Sequence, residues 1–385
     1  MLTLPPLSLY IHIPWCVRKC PYCDFNSHQS DTHVPEQAYV AALARDLAAD
    51  AELAQGRRLT SIFFGGGTPS LFSCAAIGEI LNSAERIIGF EENIEITLEA
   101  NPGTFEQDKF RGFRSAGVNR LSIGIQSFND EQLQALGRIH DGDAALKATD
   151  TARRAGFDNL NLDLMHGLPG QSLAAAMQDL NTALALEPEH LSWYQLTIEP
   201  NTVFYSKPPT LPVEDTLADI QDVGHDKLQQ AGFKRYEVSA YARTARAKHN
   251  MNYWQFGDYL GIGAGAHGKF TTPNNGTIFR QWKTRQPDAY LNADAGPGRF
   301  PNPFCAGREV IEPDARALEF LLNALRLTEG CAPTTFTERT GLPLDALEPH
   351  WQELAGKGLV QSRSQRIATT ELGMRFLNDV LGAYT

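Results

Sequence analysis

Residues 7–23 read Leu7-Ser8-Leu9-Tyr10-Ile11-His12-Ile13-Pro14-Trp15-Cys16-Val17-Arg18-Lys19-Cys20-Pro21-Tyr22-Cys23. The first seven, rich in leucine, β-branched and aromatic residues and stopped by Pro14, predict a strand. Cys16, Cys20 and Cys23 then share one loop at the spacing C-x3-C-x2-C. A zinc finger wants four ligands, usually in two separated pairs. Here three stand close together, and no fourth Cys or His follows at finger spacing. Three thiolates suit a [4Fe–4S] cluster that leaves one iron free of protein ligands. A free iron can hold a small molecule and do chemistry on it. Tyr22 and Phe25 add apolar cover that would shield a cluster from water and oxygen.

The strand opens a repeated strand-then-helix pattern. Further strands are expected at 61–64, 94–98, 120–125, 159–165 and 191–196, and helices at 36–54, 75–88, 106–115, 144–155 and 173–186. Gly117 and Gly156 read as helix stops. Six β–α units imply parallel strands with right-handed crossovers. A closed barrel would want eight, so the expected fold is α/β, an open six-stranded (β/α)6 partial barrel. Active sites gather at the C-terminal ends of such strands. There lie the cysteine loop, Gly65-Gly66-Gly67-Thr68-Pro69, Glu99, Gln126 and Asp163.

From about Thr210 the pattern loosens. A helix at 213–231 and a strand at 235–241 are expected, followed by His249-Asn250-Met251-Asn252-Tyr253-Trp254 and a glycine-rich run at 261–268. Asn274-Asn275-Gly276 signals a hairpin. The Pro- and Gly-rich stretch 296–308 reads as a linker. Helices at 314–327, 344–357 and 371–381 around a polar turn region then make an α+β, winged-helix-like pattern. Three units are expected: 1–210 with the cluster and ligand sites, 211–300 as an extension, and 301–385 as the C-terminal domain.

The chain has 385 residues, and its formal net charge of −11 argues against an extended nucleic-acid surface. No apolar run approaches the roughly 18 residues of a membrane span. Met1–Pro6 lacks a signal-peptide pattern. Cys74, Cys305 and Cys331 are scattered, so the six cysteines do not form a disulfide framework. A reducing cytoplasm is expected.

The loop Cys16–Cys23 resembles the signature of radical S-adenosylmethionine (SAM) enzymes, and Gly65–Pro69 resembles their second signature. In that family the methionine amine and carboxylate chelate the fourth iron, and an electron from the cluster cleaves SAM to a 5′-deoxyadenosyl radical. A glycine turn suits this role, because a backbone without Cβ lets a ligand approach closely. Tyr10–Cys16, Glu99-Ala100-Asn101-Pro102, Gly124–Phe128 and Asp163–Pro169 are similar to the coproporphyrinogen-oxidase-like branch. That branch holds the oxygen-independent coproporphyrinogen III oxidase and the HemW heme chaperones. The resemblance covers nearly the whole chain. It implies that Tyr10, Gly66, Gly67, Thr68, Glu99, Gln126, Arg138 and Asp163 contact SAM. Glu99 and Asp163 can accept from ribose hydroxyls or the ammonium, and Arg138 can pair with the carboxylate. The residues alone leave Arg138 open to being a surface residue, and Asp163 to holding a neighbouring loop.

Two departures from the oxidase pattern bear on the branch. The oxidase has a further cysteine two positions after the third, where this chain has Phe25. It also has a long N-terminal arm, for which few residues precede Tyr10. Both favour the chaperone side. The motif H-N-x-x-Y-W of that side is matched by His249, Asn250, Tyr253 and Trp254. Neutral imidazole is a common iron ligand, and the two aromatics offer flat faces to a porphyrin. The other reading of His249 is a hydrogen-bonded core histidine beside an aromatic pair. His267 is a second ligand candidate. The resemblance thus implies a protein that carries a cluster and SAM, binds heme and delivers it to apo-hemoproteins. An electron donor and a homodimer are compatible with it, and the alternative is porphyrinogen oxidation. No catalytic acid, base or nucleophile is assigned.

Overall fold

Leu7–Ile13 (β1) lies near the middle of a twelve-stranded mixed sheet in the computed structural model, which describes residues 2–30, 34–103, 109–293 and 302–385. The strands after β1 are Leu59–Gly66 (β2), Phe90–Ala100 (β3), Arg120–Gln126 (β4), Leu160–His166 (β5) and His190–Gln195 (β6). Lys234–Arg235 (β7), Ala240–Ala242 (β8), Asp258–Ile262 (β9), His267–Thr272 (β10), Thr277–Lys283 (β11) and Cys305–Val310 (β12) complete it. The order across the sheet is β12-β11-β10-β9-β1-β2-β3-β4-β5-β6-β8-β7.

The six expected strands all form, and β1 to β6 pair in parallel, each with the next. Helices Glu36–Ala49, Cys74–Ile87, Phe110–Ala116, Gly142–Arg154 and Leu173–Ala185 alternate with them. Ser73, Asp141 and Ser172 start three of these helices, each side chain accepting a first-turn N–H. Gly117 stops a fourth at φ 115°. Two boundaries shift. The first helix ends at Ala49 and continues only as a 3-10 turn over Ala51–Ala54. The third begins at Phe110, and positions 106–108 lie outside the described residues.

The parallel run is longer than six. β9 pairs with β1 in parallel on the side away from β2, Leu7 opposite Asp258 and Ile11 opposite Ile262. Its sequence, Asp258-Tyr259-Leu260-Gly261-Ile262, includes the first glycine of the glycine-rich run, and from the sequence no strand is expected there. That glycine is required by packing: a Cβ on Gly261 would lie 1.8 Å from the His267 carbonyl oxygen. Beyond β9 the sheet turns antiparallel through β10, β11 and β12. The β10–β11 turn is the expected hairpin, with Gly276 at φ 67°. The strand expected at 235–241 is instead the hairpin β7–β8, which pairs antiparallel on β6. The stretch read as a linker ends in β12, whereas positions 296–301 lie outside the described residues.

The C-terminal helices Arg316–Ala324, Pro333–Thr340 and His350–Gly356 enclose a second core around Phe320, Phe336 and Trp351. Phe256 and Ile278, from the sheet side, complete it. The helix Pro333–Thr340 escaped the sequence reading. Short bridges join Cys331 to Ile367 and Val360 to Thr369.

The antiparallel wing is bolted to the first helix by charge. Lys283 Nζ on β11 reaches Asp46 at 2.5 Å and Asp50 at 2.6 Å, all three side chains being buried. Tyr290 and Asn302 also donate to Asp46. Removing the ammonium would leave two carboxylates facing each other in the core. Lys283→Ala is therefore expected to cost about 3–5 kcal/mol. The check is urea unfolding, with a lower midpoint at unchanged slope.

Candidate cofactor site and an adjoining cavity

β1 leads into a small ladder in which Trp15–Cys16 pairs with His28–Gln29, closing the base of the cysteine loop. Cys16 is buried, Cys20 and Cys23 are half-buried, and all three are free thiols lining one cavity of about 240 Å³. The thiols of Cys16 and Cys23 are pushed up by burial. A bound cation is what turns such thiols into thiolates. Among the described residues, no three His, Cys, Asp or Glu side chains converge as a single-ion site. A polynuclear cluster makes a different demand, with each thiolate on its own iron.

The glycine turn after β2 is forced by the strand beside it. Gly66 has φ 111°, and a Cβ there would lie 2.5 Å from the His12 ring. A Cβ on Gly67 would lie 2.4 Å from the Trp15 carbonyl oxygen. With none present, Gly67 N–H donates to Ile13 at 2.7 Å and Thr68 N–H to Trp15 at 2.8 Å. The turn thus lies directly against the cysteine strand and lines the same cavity.

Glu99 on β3 and Asp163 on β5 face that cavity. Desolvation pushes Glu99 up from 4.5 to about 8, with the Asp163 charge adding to it. Asp163 is also raised, by burial, although Ser122 and Asn161 donate to it at 2.8 Å. Neither carboxylate has an ion-pair partner among the described residues. Arg18 lines the cavity from its exposed rim, and Arg138 is the cation set deeper in it. It donates to the Asn101 side chain at 2.5 Å and the Gly124 carbonyl at 2.8 Å, and it lies 3.7 Å from Cys20 Sγ. Its Nε is buried without a partner. Arg138 therefore lines the cavity and is not a solvated surface residue. Gln126 ends β4 at φ 69° and accepts from the Tyr194 hydroxyl at 2.9 Å. Tyr22 lines the cavity from the cysteine loop.

Tyr10 and His12 do face one side, as alternation along β1 predicts, with the Tyr10 hydroxyl 3.0 Å from His12 Nδ1. Both line a second cavity of about 910 Å³ on the far side of β1, against β9, β10 and β11. Tyr253 and Trp254, at the end of the helix Lys248–Trp254, line it too. His249 does not. It is 1% exposed, with Nδ1 3.1 Å from Ser61 Oγ and Nε2 2.9 Å from the Tyr253 hydroxyl. Asn250 also lies off the cavity wall, and its neighbour Asn252 makes the buried bonds, to Ser8 and Asp258.

The radical SAM superfamily matches over residues 10–183, and the HemN C-terminal domain over residues 311–376. The chain is 49% identical to the heme chaperone HemW of Haemophilus influenzae over 98% of this chain and 97% of that one. It is 48% identical to the heme chaperone HemW of Escherichia coli (99% and 98%), and 35% identical to that of Bacillus subtilis (98% and 98%). The chain belongs to the HemW family. In fold, it superposes on the coproporphyrinogen III oxidase HemN of Escherichia coli with a TM-score of 0.82. That match covers 99% of this chain and 90% of HemN at 23% identity.

In this HemW-family chain, Phe25 stands where the oxidase pattern has a cysteine. Its side chain is 61% exposed and lines both cavities. Among the cavity residues that escaped selection from the sequence are Asn101, Ser122, Gly124 and Tyr194. Asn101 and Gly124 sit inside motif stretches, so they were within reach. Ser122 and Tyr194 needed the strand register. No helix among the described residues is long and apolar enough to cross a membrane.

The raised Glu99 acid has a thermodynamic signature in the ligand-free chain. The folded state holds its proton up to about pH 8 and the unfolded state releases it near 4.5. The stability Glu99 contributes is thus full at low pH and is lost as pH rises between those values. Melting temperatures of wild type and Glu99→Gln, compared from about pH 5 to about pH 8.5, should diverge, with wild type falling further. Parallel curves would show that Glu99 ionises normally.

Proposed function

We propose that this chain is a heme chaperone of the radical SAM type, binding heme and handing it to apo-hemoproteins in the cytoplasm. The observation that carries this reading is full-length membership of the HemW family, in a molecule where a large aromatic-walled cavity adjoins the cysteine loop through Phe25. The smaller cavity, about 240 Å³, is too narrow for a tetrapyrrole, whereas about 910 Å³ is near the top of the usual range for ligand sites, roughly 300–1,000 Å³.

In this reading Cys16, Cys20 and Cys23 hold a [4Fe–4S] cluster, and SAM lies among Gly66, Gly67, Thr68, Glu99, Gln126, Arg138 and Asp163. The donor set fits such a guest. Two buried carboxylates lack a cation of their own, and one guanidinium has an unpartnered Nε. A zwitterionic amino acid with an added sulfonium supplies the complement: one carboxylate and two positive groups. Tyr10 would act from behind β2, where its ring borders Gly65 beside the Glu99 carboxylate. When bound, the cluster would be able to supply an electron to the sulfonium. The chain's own part is to orient SAM and exclude water. His249 braces the Tyr253 hydroxyl, so that Tyr253 and Trp254 present their rings to the heme cavity.

We also propose that β1 to β6 form a partial (β/α)6 barrel within residues 1–210 and that residues 211–300 extend it. Residues 301–385 would be a winged-helix-like unit, with β12 completing the extension's sheet. The alternating strands and helices and the separate C-terminal core support this division.

Two measurements test the function. Reconstituted without oxygen, the wild type should show iron–sulfur absorbance and Cys20→Ser should lose it; an intact spectrum would refute the ligand set. Given SAM, a reductant and coproporphyrinogen III, the protein should take up added heme without decarboxylating the porphyrinogen. Efficient conversion to protoporphyrinogen would sink the chaperone reading in favour of the oxidase.

A further inference from the structure

The heme-binding reading leaves open which atom meets the iron, and the large cavity narrows the choice. An axial histidine needs a ring nitrogen with a free lone pair that faces the ligand. His28 lies behind the wall, off the cavity lining, with Nε2 3.3 Å from Asn26 Oδ1, and three other histidines stand at or near this cavity. Both His249 nitrogens are engaged, one by Ser61 and one by Tyr253, and the ring is off the cavity wall. His12 lines the cavity, but its Nδ1 is bonded to Tyr10 and its Nε2 lies 2.8 Å from the Asn26 carbonyl oxygen. His267 differs from both. It opens β10 at the cavity wall, is exposed, and has neither ring nitrogen in a hydrogen bond among the described residues. Its ring is stacked on Trp282 across the β10–β11 ladder, centroids 6.3 Å apart and planes at 27°. That contact fixes the ring's plane. Partial desolvation at the cavity wall and the nearby Arg280 and Arg285 also hold its pKa below the usual value, which favours the neutral imidazole, the form that binds iron.

The charges on the wall sort in the same way. Lys269 is buried and paired with Asp258 at 3.0 Å, and Arg280 is committed to Glu319. Arg285 is exposed, and its guanidinium has no ion pair or hydrogen bond among the described residues. Its backbone is fixed to the cysteine loop. The Asn26 amide donates to the carbonyls of Ala264 and Arg285, 2.9 Å each, placing Phe25 beside the same mouth. One side of the cavity therefore carries a free imidazole and a free cation, and its other walls are aromatic.

We propose that His267 is the axial ligand of a heme held in this cavity. Tyr253, Trp254, Trp282 and Phe25 form its apolar walls, and Arg285 receives a propionate. The proposal rests on the heme-chaperone reading and assigns His249 a positioning role instead of ligation.

The test is a titration of the full-length, cluster-reconstituted protein with ferric heme, followed by Soret difference spectra and electron paramagnetic resonance. His267→Ala should weaken binding by about a hundredfold or more, at or beyond the 10–100-fold seen when a ligand's mere supporting partner is lost. It should also abolish the histidine-type signature. Because His267 is exposed, the variant should keep the wild-type circular dichroism, and added imidazole should restore the wild-type spectrum. Arg285→Gln should weaken heme by about tenfold, the worth of one charge-assisted hydrogen bond, and leave heme dimethyl ester unaffected. A His267→Ala protein with wild-type affinity and Soret position would overturn the assignment. A wild type that takes up no heme would instead overturn the chaperone reading, and the assignment with it.

Discussion

The molecule depends on one constraint: β1 is paired in parallel on both sides, with β2 and with β9. A parallel partner presents its C-terminal end on the same edge. The cysteine loop leaves that edge from β1, the glycine turn from β2, and the Gly263–Gly265 turn from β9. Three loops are therefore crowded together. Their packing excludes side chains at several points: Gly66 against the His12 ring, Gly67 against Trp15, and Gly263 against the His12 carbonyl, 2.3 Å from a would-be Cβ. The two cavities are the spaces left on either side of β1, and Phe25 is the side chain common to both.

Electrostatics then separates the roles of the two spaces. The smaller one is lined by carboxylates without counter-ions and thiols raised by burial, which makes it costly until a cationic guest or a metal cluster arrives. The larger one is aromatic, with its buried charges already compensated, as in Lys269 with Asp258. Apolar area and stacking dominate there, as a large flat ligand would require. A single edge of one sheet thus offers a polar cavity, proposed for the cofactors, and an apolar cavity, proposed for heme, within one loop's reach.

Much of this was legible in the chain. The hydrophobic runs and their glycine, proline and asparagine stops located six parallel strands, because a strand buried on both faces is written as a continuous apolar stretch. The C-x3-C-x2-C loop and the residues at the strand ends pointed to one cavity, the one proposed to hold the cofactors. Less legible were elements whose composition hides their conformation. β9 is half polar and glycine-bearing, yet it is a central strand because its neighbours fill the space a side chain would occupy. β12 sits in a segment that reads as linker, and the helix Pro333–Thr340 carries four threonines that weaken its helical pattern.

The motif residues show the division most clearly. In the sequence, His249, Tyr253 and Trp254 are grouped by their resemblance to the H-N-x-x-Y-W pattern. The pattern could not say which of them faces a ligand. That was decided by helix Lys248–Trp254 docking on β1 and β2, where Ser61 captures one nitrogen of His249 and Tyr253 the other. In the same way the chain offered Cys16, Cys20 and Cys23 as candidate metal ligands from spacing within a single loop. That His267 and Arg285 stand beside that loop, more than 240 residues away in the chain, follows only from the return of β9 to β1 and the Asn26 amide that fastens the hairpin to it. Local spacing is written in sequence because it needs only the backbone's own periodicity. Contacts across the sheet are not, because they depend on which strand comes home to which neighbour.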